Sequence, residues 1–416
     1  MKIDIVDLNY DICSKEWREW RLIEKTNSKF KYPALLEGLL RTFLFTFLSL
    51  RRINFFVRKK SIIFLVATHN QHKTLSKVAD KTDKSILLGM HNFKSESLDG
   101  YIPSLLFYLI GWICFPYSIY QLLKVKDKYQ RSALTGKLER VLVSGASVFV
   151  WKILFWLWAP KIIVISNDHN HWTRAAVRAA KEIHLKTAYI PHAYTSSSFP
   201  ELECTYSFLD SNVQRNLYKK TGIEEKSKIH VVGAVRYENK IRKVESRELN
   251  GILICFNILD SSEFIDSILK DSATKIDKKY SIFVRPHPGD RDRFRFIENL
   301  CHKYDLTYLS PTDDLSNFSS QVQVLLGGIT GAHIDAIMYG MHPISFPHWY
   351  REDYYGLIDE GIVQVVNGFS DIEKNYIESS HKVQAIRHRF NQHLLNNEIL
   401  PSQLIANKLN ILLENA

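Results

Sequence analysis

Short apolar runs, each followed by a loop of small and polar residues and then by a stretch with helical spacing, recur along this chain. A short apolar run between turn residues is typical of a strand buried on both faces, and alternation of such strands with helices indicates a parallel sheet. Ligands of parallel sheets bind at the carboxyl ends of the strands. The pattern therefore predicts an α/β protein. The predicted strands lie at 61–67, 160–166, 186–190, 228–233, 251–256, 280–285, 324–327, 343–346 and 361–366.

A charged segment separates these strands into two sets. The run from Asn239 to Glu248 is rich in charged residues and is typical of an interdomain linker. A chain of 416 residues is long enough for two domains that each bury a core. We therefore predict two Rossmann-like domains with a cleft between them. The first spans 1–238, the linker 239–250, the second domain 251–380, and a set of C-terminal helices 381–416.

Two loops of the second predicted domain carry most of its candidate chemistry. The first is rigid, because Pro286 and Pro288 fix the backbone on both sides of His287 and keep a helix from starting early. The second places Gly and Thr at a helix N-terminus, where backbone N–H groups can hold a phosphate. A Gly-rich turn before a helix also occurs in α/β proteins that bind no phosphate. The candidate nucleotide-binding residues are Arg285, His287, Pro288, Gly328, Thr330, Gly331 and His333.

The candidate catalytic residues follow two strands of the first predicted domain. Asp168 comes after the strand at 160–166, and His192 comes after the strand at 186–190. A carboxylate at a strand end suits a general base that takes a proton from an acceptor hydroxyl. Capping of the following helix is an equal alternative for Asp168. Glu201 is the second candidate for the base.

Three apolar stretches, at 34–50, 101–123 and 148–158, are rich in aromatic residues, and a basic cluster follows the first of them. The stretch at 101–123 has the length of a transmembrane helix, but we expect Pro103 and Pro116 to interrupt it. Its Tyr and Trp residues are also spread along it instead of being gathered at the ends. We therefore expect surfaces that lie on a bilayer or pack within the first domain.

Charge and cysteine content narrow the function further. The 55 Lys and Arg residues against 44 Asp and Glu residues give a net charge of +11, which suits an anionic membrane surface or an anionic substrate. No zinc-finger spacing or arginine-rich tract occurs, so nucleic acid is not an expected partner. The five cysteines form no CxxC pair, which predicts reduced thiols in the cytoplasm. The N-terminal residues do not have the pattern of a signal peptide. His169 and His171 lack a third ligand at suitable spacing, so we predict no metal site.

The second predicted domain resembles the C-terminal half of the GT-B glycosyltransferases. The resemblance rests on a strand that ends in His287-Pro288, on the later loop at 328–331, and on a helix that carries Asp335-Ala336 and ends in Tyr339-Gly340. The enzymes it is most similar to build bacterial capsule and lipopolysaccharide. They include the CMP-sialic acid and CMP-Kdo transferases and the poly(glycerol phosphate) polymerases. The same enzymes resemble the first domain at Asp168, Arg174 and His192-Ala193, although Gly commonly follows the His in them.

This resemblance implies a GT-B fold whose C-terminal helices pack across the domain junction. In sialyltransferases of this type, a His of His-Pro and a later Ser or Thr loop hold the CMP phosphate, which implies these roles for His287 and Thr330. Many sialyltransferases carry a paired-serine loop where this chain has Gly328-Ile329-Thr330-Gly331, so the donor sugar stays open.

From the residues and the resemblance together, we expect a metal-independent glycosyltransferase without a cofactor. It would move an acidic sugar from a CMP-activated donor to a growing surface polysaccharide or glycolipid. Its place would be the cytoplasmic face of the bacterial inner membrane, as a peripheral protein. The alternatives are a UDP-sugar or CDP-polyol transferase of the same fold, a sugar-nucleotide 2-epimerase, and a non-catalytic nucleotide-sugar-binding subunit of a capsule assembly.

Overall fold

The structure is a computed structural model of the 416-residue chain. It describes residues 4–14, 40, 42–48, 61–90, 93–220, 227–238, 248–328, 330–349, 353, 355–378, 385 and 399–415. The basic cluster at 51–60 lies outside the described residues. So do 239–247 of the predicted linker and most of 379–398.

The first of two sheets has seven strands, all parallel, in the order β3-β2-β1-β4-β5-β6-β7. Central β1 pairs with β2 on one side and β4 on the other, and Ile63 lies beside both Ile86 and Ile163. The chain therefore reverses its direction of winding between β1 and β4. The strands are β1 (Ile62–Val66), β2 (Ser85–Gly89), β3 (Gly100–Tyr101), β4 (Ile162–Ile165), β5 (Lys186–Tyr189), β6 (Tyr206–Leu209) and β7 (Lys228–Val231).

Helices cover both faces of this sheet, as a parallel sheet requires. Trp151 and Phe107 are among the largest fully buried side chains, and their rings lie 5.4 Å apart. The alanines of α7 at 175, 176, 179 and 180 are buried and let this helix lie close to its neighbours. The helices are α1 (Ile5–Leu8), α2 (Tyr10–Cys13), α3 (His69–Ala79), α4 (Ser104–Lys124), α5 (Lys128–Thr135), α6 (Leu138–Trp158), α7 (His171–Glu182) and α8 (Asn212–Lys220). Residues 42–48 are also helical.

The second sheet has six parallel strands in the order β10-β9-β8-β11-β12-β13, with its reversal between β8 and β11. This strand order is that of a Rossmann-type domain. The strands are β8 (Gly251–Cys255), β9 (Ser281–Arg285), β10 (Thr307–Tyr308), β11 (Val324–Gly327), β12 (His342–Ser345) and β13 (Gln364–Val365). The helices are α9 (Ser262–Lys275), α10 (Phe294–Tyr304), α11 (Ala332–Tyr339) and α12 (Pro401–Glu414). Residues 372–378 are helical as well.

The last helix, α12, returns to the first domain. Ile405, Ala406 and Leu409 are fully buried in one apolar cluster with Ile62 and Phe64 of β1. At the N-terminus of this helix, the hydroxyl and backbone N–H of Ser402 donate to the carboxylate of Glu238. The C-terminal helix therefore packs across the domain junction, which confirms the expected arrangement.

The stretch at 101–123 forms one continuous helix, α4, so the expectation that its prolines interrupt it is wrong. Pro103 directly precedes the helix, and Pro116 lies inside it. An internal proline removes one backbone donor. Packing of α4 against α6, which is close at Gly111 and at Ser118, offsets this loss.

Helices α4 and α6 are long and apolar enough to cross a membrane by length and composition alone. In the most apolar 18-residue segment of each helix, 28% of the residues are buried inside the protein in α4 and 72% in α6. Helix α6 is therefore mainly a core helix, whereas α4 presents one apolar face to the outside.

Candidate functional site

The carboxyl edge of the second sheet is formed by four loops that follow β8, β9, β11 and β12. Arg293 and Trp349 brace three of these loops. The Arg293 guanidinium donates to the carbonyl oxygens of Ile258 and Asp260, and it also pairs with Asp290 of its own loop. Trp349 Nε1–H donates to Asp260 Oδ1 at 3.1 Å. These hydrogen bonds hold the loops after β8, β9 and β12 together.

His287 lies in this edge with a defined tautomer. Its Nδ1 accepts a hydrogen bond from the backbone N–H of Gly289 at 3.0 Å. In the neutral ring Nε2 therefore carries the proton and is the donor. Burial lowers the pKa of His287 and Arg285 lowers it further, whereas Asp290 opposes them. His287 is thus a neutral N–H donor on a rigid loop, a group suited to a phosphate oxygen.

The loop before α11 brings Gly328, Thr330 and Gly331 to the same edge. Gly328 must lack a side chain, because a Cβ there would lie 2.6 Å from the Trp349 ring. At Gly331, in contrast, a Cβ would meet nothing within 4 Å, so this position at the N-terminus of α11 borders open space. Thr330 is buried, and its hydroxyl accepts from the Ala332 N–H at 3.2 Å. The N–H groups of His333 and Ile334 also donate within this turn, so the positive end of the helix dipole is what attracts an anion here.

His333 lies beneath this loop and is 2% exposed. Burial lowers its pKa to about 4, although a hydrogen bond to the backbone of Ile344 opposes this. Its Nε2 is buried and has no hydrogen-bond partner among the described residues. A Cβ on Gly327 would lie 3.5 Å from that nitrogen. His333 is therefore a neutral, buried side chain that packs beneath the loop, and it is not placed at the surface to bind a ligand.

Arg285, at the end of β9, holds the loop after β10. Its Nη2 donates to the carbonyl oxygens of Pro311 and Asp313 at 2.7 and 3.2 Å. Its charge nevertheless reaches two nearby groups: burial lowers the pKa of His287 and raises the pKa of Asp335, and Arg285 acts to lower the pKa of each. Arg285 therefore adds positive charge to the carboxyl edge of the sheet, while its hydrogen bonds go to the loop after β10. Pro288 is exposed at the tip of its own loop.

In the first domain, Asn170 and not Asp168 caps α7. The Asn170 side chain accepts from the backbone N–H groups of Trp172 and Thr173. The capping alternative for Asp168 is therefore wrong, because the cap lies two residues later. The Asp168 carboxylate is 7% exposed, its Oδ1 lies 3.3 Å from His169 Nδ1, and its Oδ2 has no partner among the described residues.

Asp168 lines a small, partly open cavity of about 20 Å³, shared with Arg174, Glu201, Glu203 and Cys204. Arg174 donates to the backbone oxygen of Asp168 and to Glu203, and it also pairs with Asp7 of the N-terminal segment. Arg174 thus fixes the loop that carries Asp168, and Glu201 lies exposed at the rim.

His192 has the opposite tautomer to His287. Its Nδ1 lies 2.5 Å from the carbonyl oxygen of Ser166 and must donate to it. The lone pair is therefore on Nε2, where it can accept a proton. The pKa of His192 is lowered to about 4, chiefly by burial and also by His169 and Arg236, against the Ser166 hydrogen bond and Asp168, which raise it.

Arg236 connects the two edges. It pairs with the buried Asp210 at 2.5 Å. Burial lowers the pKa of His192 in the first domain and raises the pKa of Asp335 in α11, and the charge of Arg236 acts to lower the pKa of each. The Tyr237 hydroxyl donates to the same Asp335. The carboxyl edges of the two sheets therefore face each other at the junction, with Arg236 between them.

Arg236 and the brace formed by Asp260, Arg293 and Trp349 were not predicted, and Asp335 was predicted only as part of a helix that resembles the GT-B enzymes. Their partners are far away in the sequence, so no local spacing signals them. Among the described residues, no group of three or more His, Cys, Asp or Glu side chains is placed to hold a metal ion.

No protein-family model matches this chain, and no curated protein matches it significantly. Solved structures do match over most of its length. A Staphylococcus aureus MnaA structure with UDP has a TM-score of 0.50 at 12% identity, covering 86% of this chain and 98% of that chain. CalG4, the calicheamicin glycosyltransferase, has a TM-score of 0.51 at 11% identity, covering 86% of this chain and 100% of that one. These similarities confirm the predicted fold, which is GT-B with two Rossmann-like domains.

Proposed function

We propose that this protein is a glycosyltransferase that takes its sugar from a nucleotide donor bound at the carboxyl edge of the second sheet. The observation that carries the proposal is the pairing of two anion-binding features on one braced edge. These are the Nε2–H donor of His287 and the open helix N-terminus at Gly331. Fixed N–H donors directed at a departing phosphate stabilise the charge that develops there and need no metal.

We propose a UDP-sugar as the donor. Two separate sets of donors suit the two phosphates of a nucleoside diphosphate. The MnaA structure, which has the same fold, was determined with UDP. A CMP-activated acidic sugar is the second candidate, favoured by the Arg285-Pro286-His287-Pro288 run and its resemblance to the bacterial sialyltransferases.

The proposed catalytic groups are His192 and Asp168. His192 Nε2 accepts the proton of the acceptor hydroxyl as the anomeric carbon is attacked. Asp168, paired with His169, places negative charge near the imidazolium that forms and thereby stabilises it. An acceptor bound to the first domain would meet the donor across the junction, where Tyr237 donates to Asp335 of the second domain and the charge of Arg236 acts on the same carboxylate.

We further propose that the protein works as a peripheral protein at the cytoplasmic face of a bacterial inner membrane, on surface polysaccharide or glycolipid. Support comes from the apolar outer face of α4 and from the net charge of +11. Apolar side chains beside basic residues favour an anionic membrane surface.

A thermal-shift panel with UDP, CDP, CMP and GDP, each with and without magnesium, tests the donor. A ligand that binds only the folded state at 100 times its Kd adds about 2.7 kcal/mol of stability. We expect UDP to raise the melting temperature most, with or without magnesium. A shift with CMP alone would select the second candidate, and no shift with any nucleotide would contradict the proposal. Turnover of a UDP-sugar by the wild type, and loss of that turnover in His192→Ala, would show that the protein is an enzyme. A non-catalytic binding subunit would bind the UDP-sugar without turnover.

A further inference from the structure

A pocket of about 410 Å³ opens at the carboxyl edge of the first sheet, where the loops after β1 and β4 diverge. This is the point at which the winding of the sheet reverses, and ligands of open parallel sheets bind there. Helices α4 and α6 and the helical segment at 42–48 form its walls. The lining residues that matter here are Phe45, Gln71, Tyr108, Glu139, Asn170 and Trp172.

The pocket offers both donors and an acceptor of hydrogen bonds. Gln71 Oε1 accepts from the Ala67 N–H, and Asn170 Oδ1 accepts from two backbone N–H groups, which fixes the orientation of both amides. Their NH₂ groups have no acceptor among the described residues and are available to a ligand. Glu139 Oε2 is buried and has no partner within the described part of the chain.

The walls beside these polar groups are aromatic. Tyr108 and Trp172 line the pocket, and Trp172 is 3% exposed. The pKa of Tyr108 is raised to about 12 by burial and, to a lesser extent, by Glu139, so the phenol stays protonated. A cavity with amide donors, a carboxylate acceptor and aromatic walls has the chemistry that recognises a polyhydroxylated ring.

One rim of the pocket continues into an exposed apolar surface. Phe45 lines the pocket, while Phe43 and Phe47 of the same segment are 61% and 64% exposed. The Phe43 ring packs 4.7 Å from Trp112 of α4, which joins the segment to that helix. The outer face of α4 then continues the apolar surface with Leu109, Ile113, Tyr117, Tyr120 and Leu123.

Basic residues end this apolar face. Lys124, Lys126 and Lys128 are exposed just beyond it, and the Lys124 ammonium lies 4.2 Å from the centroid of the Tyr120 ring. The exposed apolar side chains suit a hydrocarbon chain, and the lysines at the end of the row suit the anionic surface of a membrane beside it.

We propose that this pocket binds the sugar headgroup of a lipid-linked acceptor, with the first part of its hydrocarbon chain lying on the apolar face of α4. The inference rests on the proposed function and names the acceptor class, a glycolipid. The polar groups hold the sugar at the sheet edge that carries His192, and the apolar face holds the chain where it leaves the membrane.

Titration of the full-length protein with n-alkyl β-D-glucosides from ethyl to octyl, kept below their micelle concentrations, tests this. We expect the affinity to rise two- to four-fold per methylene. A fully buried CH₂ contributes about 0.8 kcal/mol, which corresponds to about four-fold in affinity. We expect octyl phosphocholine, which has a chain but no sugar, to bind at least ten-fold more weakly. Affinity that is independent of chain length, or equal affinity for octyl phosphocholine, would overturn the inference.

Two variants locate the binding. Glu139→Gln keeps the size of the side chain and removes the carboxylate, and we expect it to weaken every glucoside about ten-fold. Phe47→Asp should remove most of the gain from chain length, whereas Ile411→Asp, at an exposed apolar residue on α12, should not. Wild-type behaviour of both Glu139→Gln and Phe47→Asp would overturn the inference.

The thermal shift with UDP is measured on the same samples. If the nucleotide shift is present but the glucosides do not bind, the donor proposal stands and the acceptor class is wrong. If the glucosides bind as expected and no nucleotide does, the pocket stands and the proposed function fails.

Discussion

Replacement of His287 by Ala tests the role of this side chain in nucleotide binding. His287 Nε2–H is the donor of a neutral ring, because Nδ1 accepts from Gly289. A hydrogen bond from a neutral N–H to a charged phosphate oxygen contributes about 1.5–3 kcal/mol. Its loss should therefore raise the Kd for UDP by about 10- to 150-fold.

The assay is isothermal titration of wild type and His287→Ala with UDP at pH 7.5. His302→Ala is the control, because His302 is an exposed histidine on neighbouring α10. We expect wild-type affinity for this control. If His287→Ala binds UDP within two-fold of wild type, the donor role is wrong and the residue only shapes its loop.

The pH dependence of UDP affinity, compared between wild type and His287→Ala, gives a second check on the role of His287. Burial lowers the pKa of His287, so the ring is neutral at pH 7.5. Protonation would have to occur at Nδ1, which accepts from the Gly289 N–H, so this hydrogen bond also favours the neutral ring. The ratio of wild-type to His287→Ala affinity should therefore stay nearly constant between pH 8.5 and pH 7.5. A ratio that rises steeply as the pH falls through this range would show that the protonated ring is the donor and would contradict the neutral tautomer.

Three further predictions concern groups around this site. Arg236→Leu leaves Asp210 buried without its cation and should lower the free energy of unfolding, measured with urea, by about 3–5 kcal/mol. Adding Asp210→Asn to this variant should restore most of the loss. A single variant as stable as wild type would contradict the prediction. Because the pKa of His342 is about 4 in the folded state against 6.5 when exposed, the stability it contributes is complete above pH 6.5 and is lost as the pH falls toward 4. His342→Gln should therefore lose about 2 kcal/mol less than wild type between pH 7 and pH 5, and an equal loss would refute the assignment. With the pKa of His192 also about 4, the transfer rate should stay constant from pH 8 to pH 5 and fall only near pH 4, so a fall centred at pH 6.5 would exclude His192 as the base.

The central strands could be predicted because a strand of a parallel sheet is apolar on both faces. β1, β4, β8, β9 and β11 each lie within a predicted run. The strands β3 and β10 were missed because each has only two residues and neither lies in a short apolar run, whereas the equally short β13 lies within the apolar run at 361–366. β2 was also missed, although its five residues are largely buried.

The loops of the candidate site were predictable in position but only partly in role. The proline-flanked His287 and the Gly-Thr loop before α11 do lie on one sheet edge. The sequence could not separate Asp168 from Asn170 as the helix cap, because both residue types favour that position. Tyr237 and Asp335 are 98 residues apart, and only the packing of the two domains brings them together.

The measurement that tests the central claim most directly is titration with UDP of wild type, Gly331→Asp and Gly368→Asp. A side chain at either glycine enters free space, so both variants should fold. An aspartate at Gly331 places a negative charge at the N-terminus of α11, where the phosphate is proposed to bind, whereas Gly368 lies in another loop. We predict that wild type and Gly368→Asp bind UDP with equal affinity and that Gly331→Asp binds it at least 100-fold more weakly. A loss of this size is about that of two charge-assisted hydrogen bonds. Equal binding of UDP by all three proteins would contradict a nucleotide site at this edge.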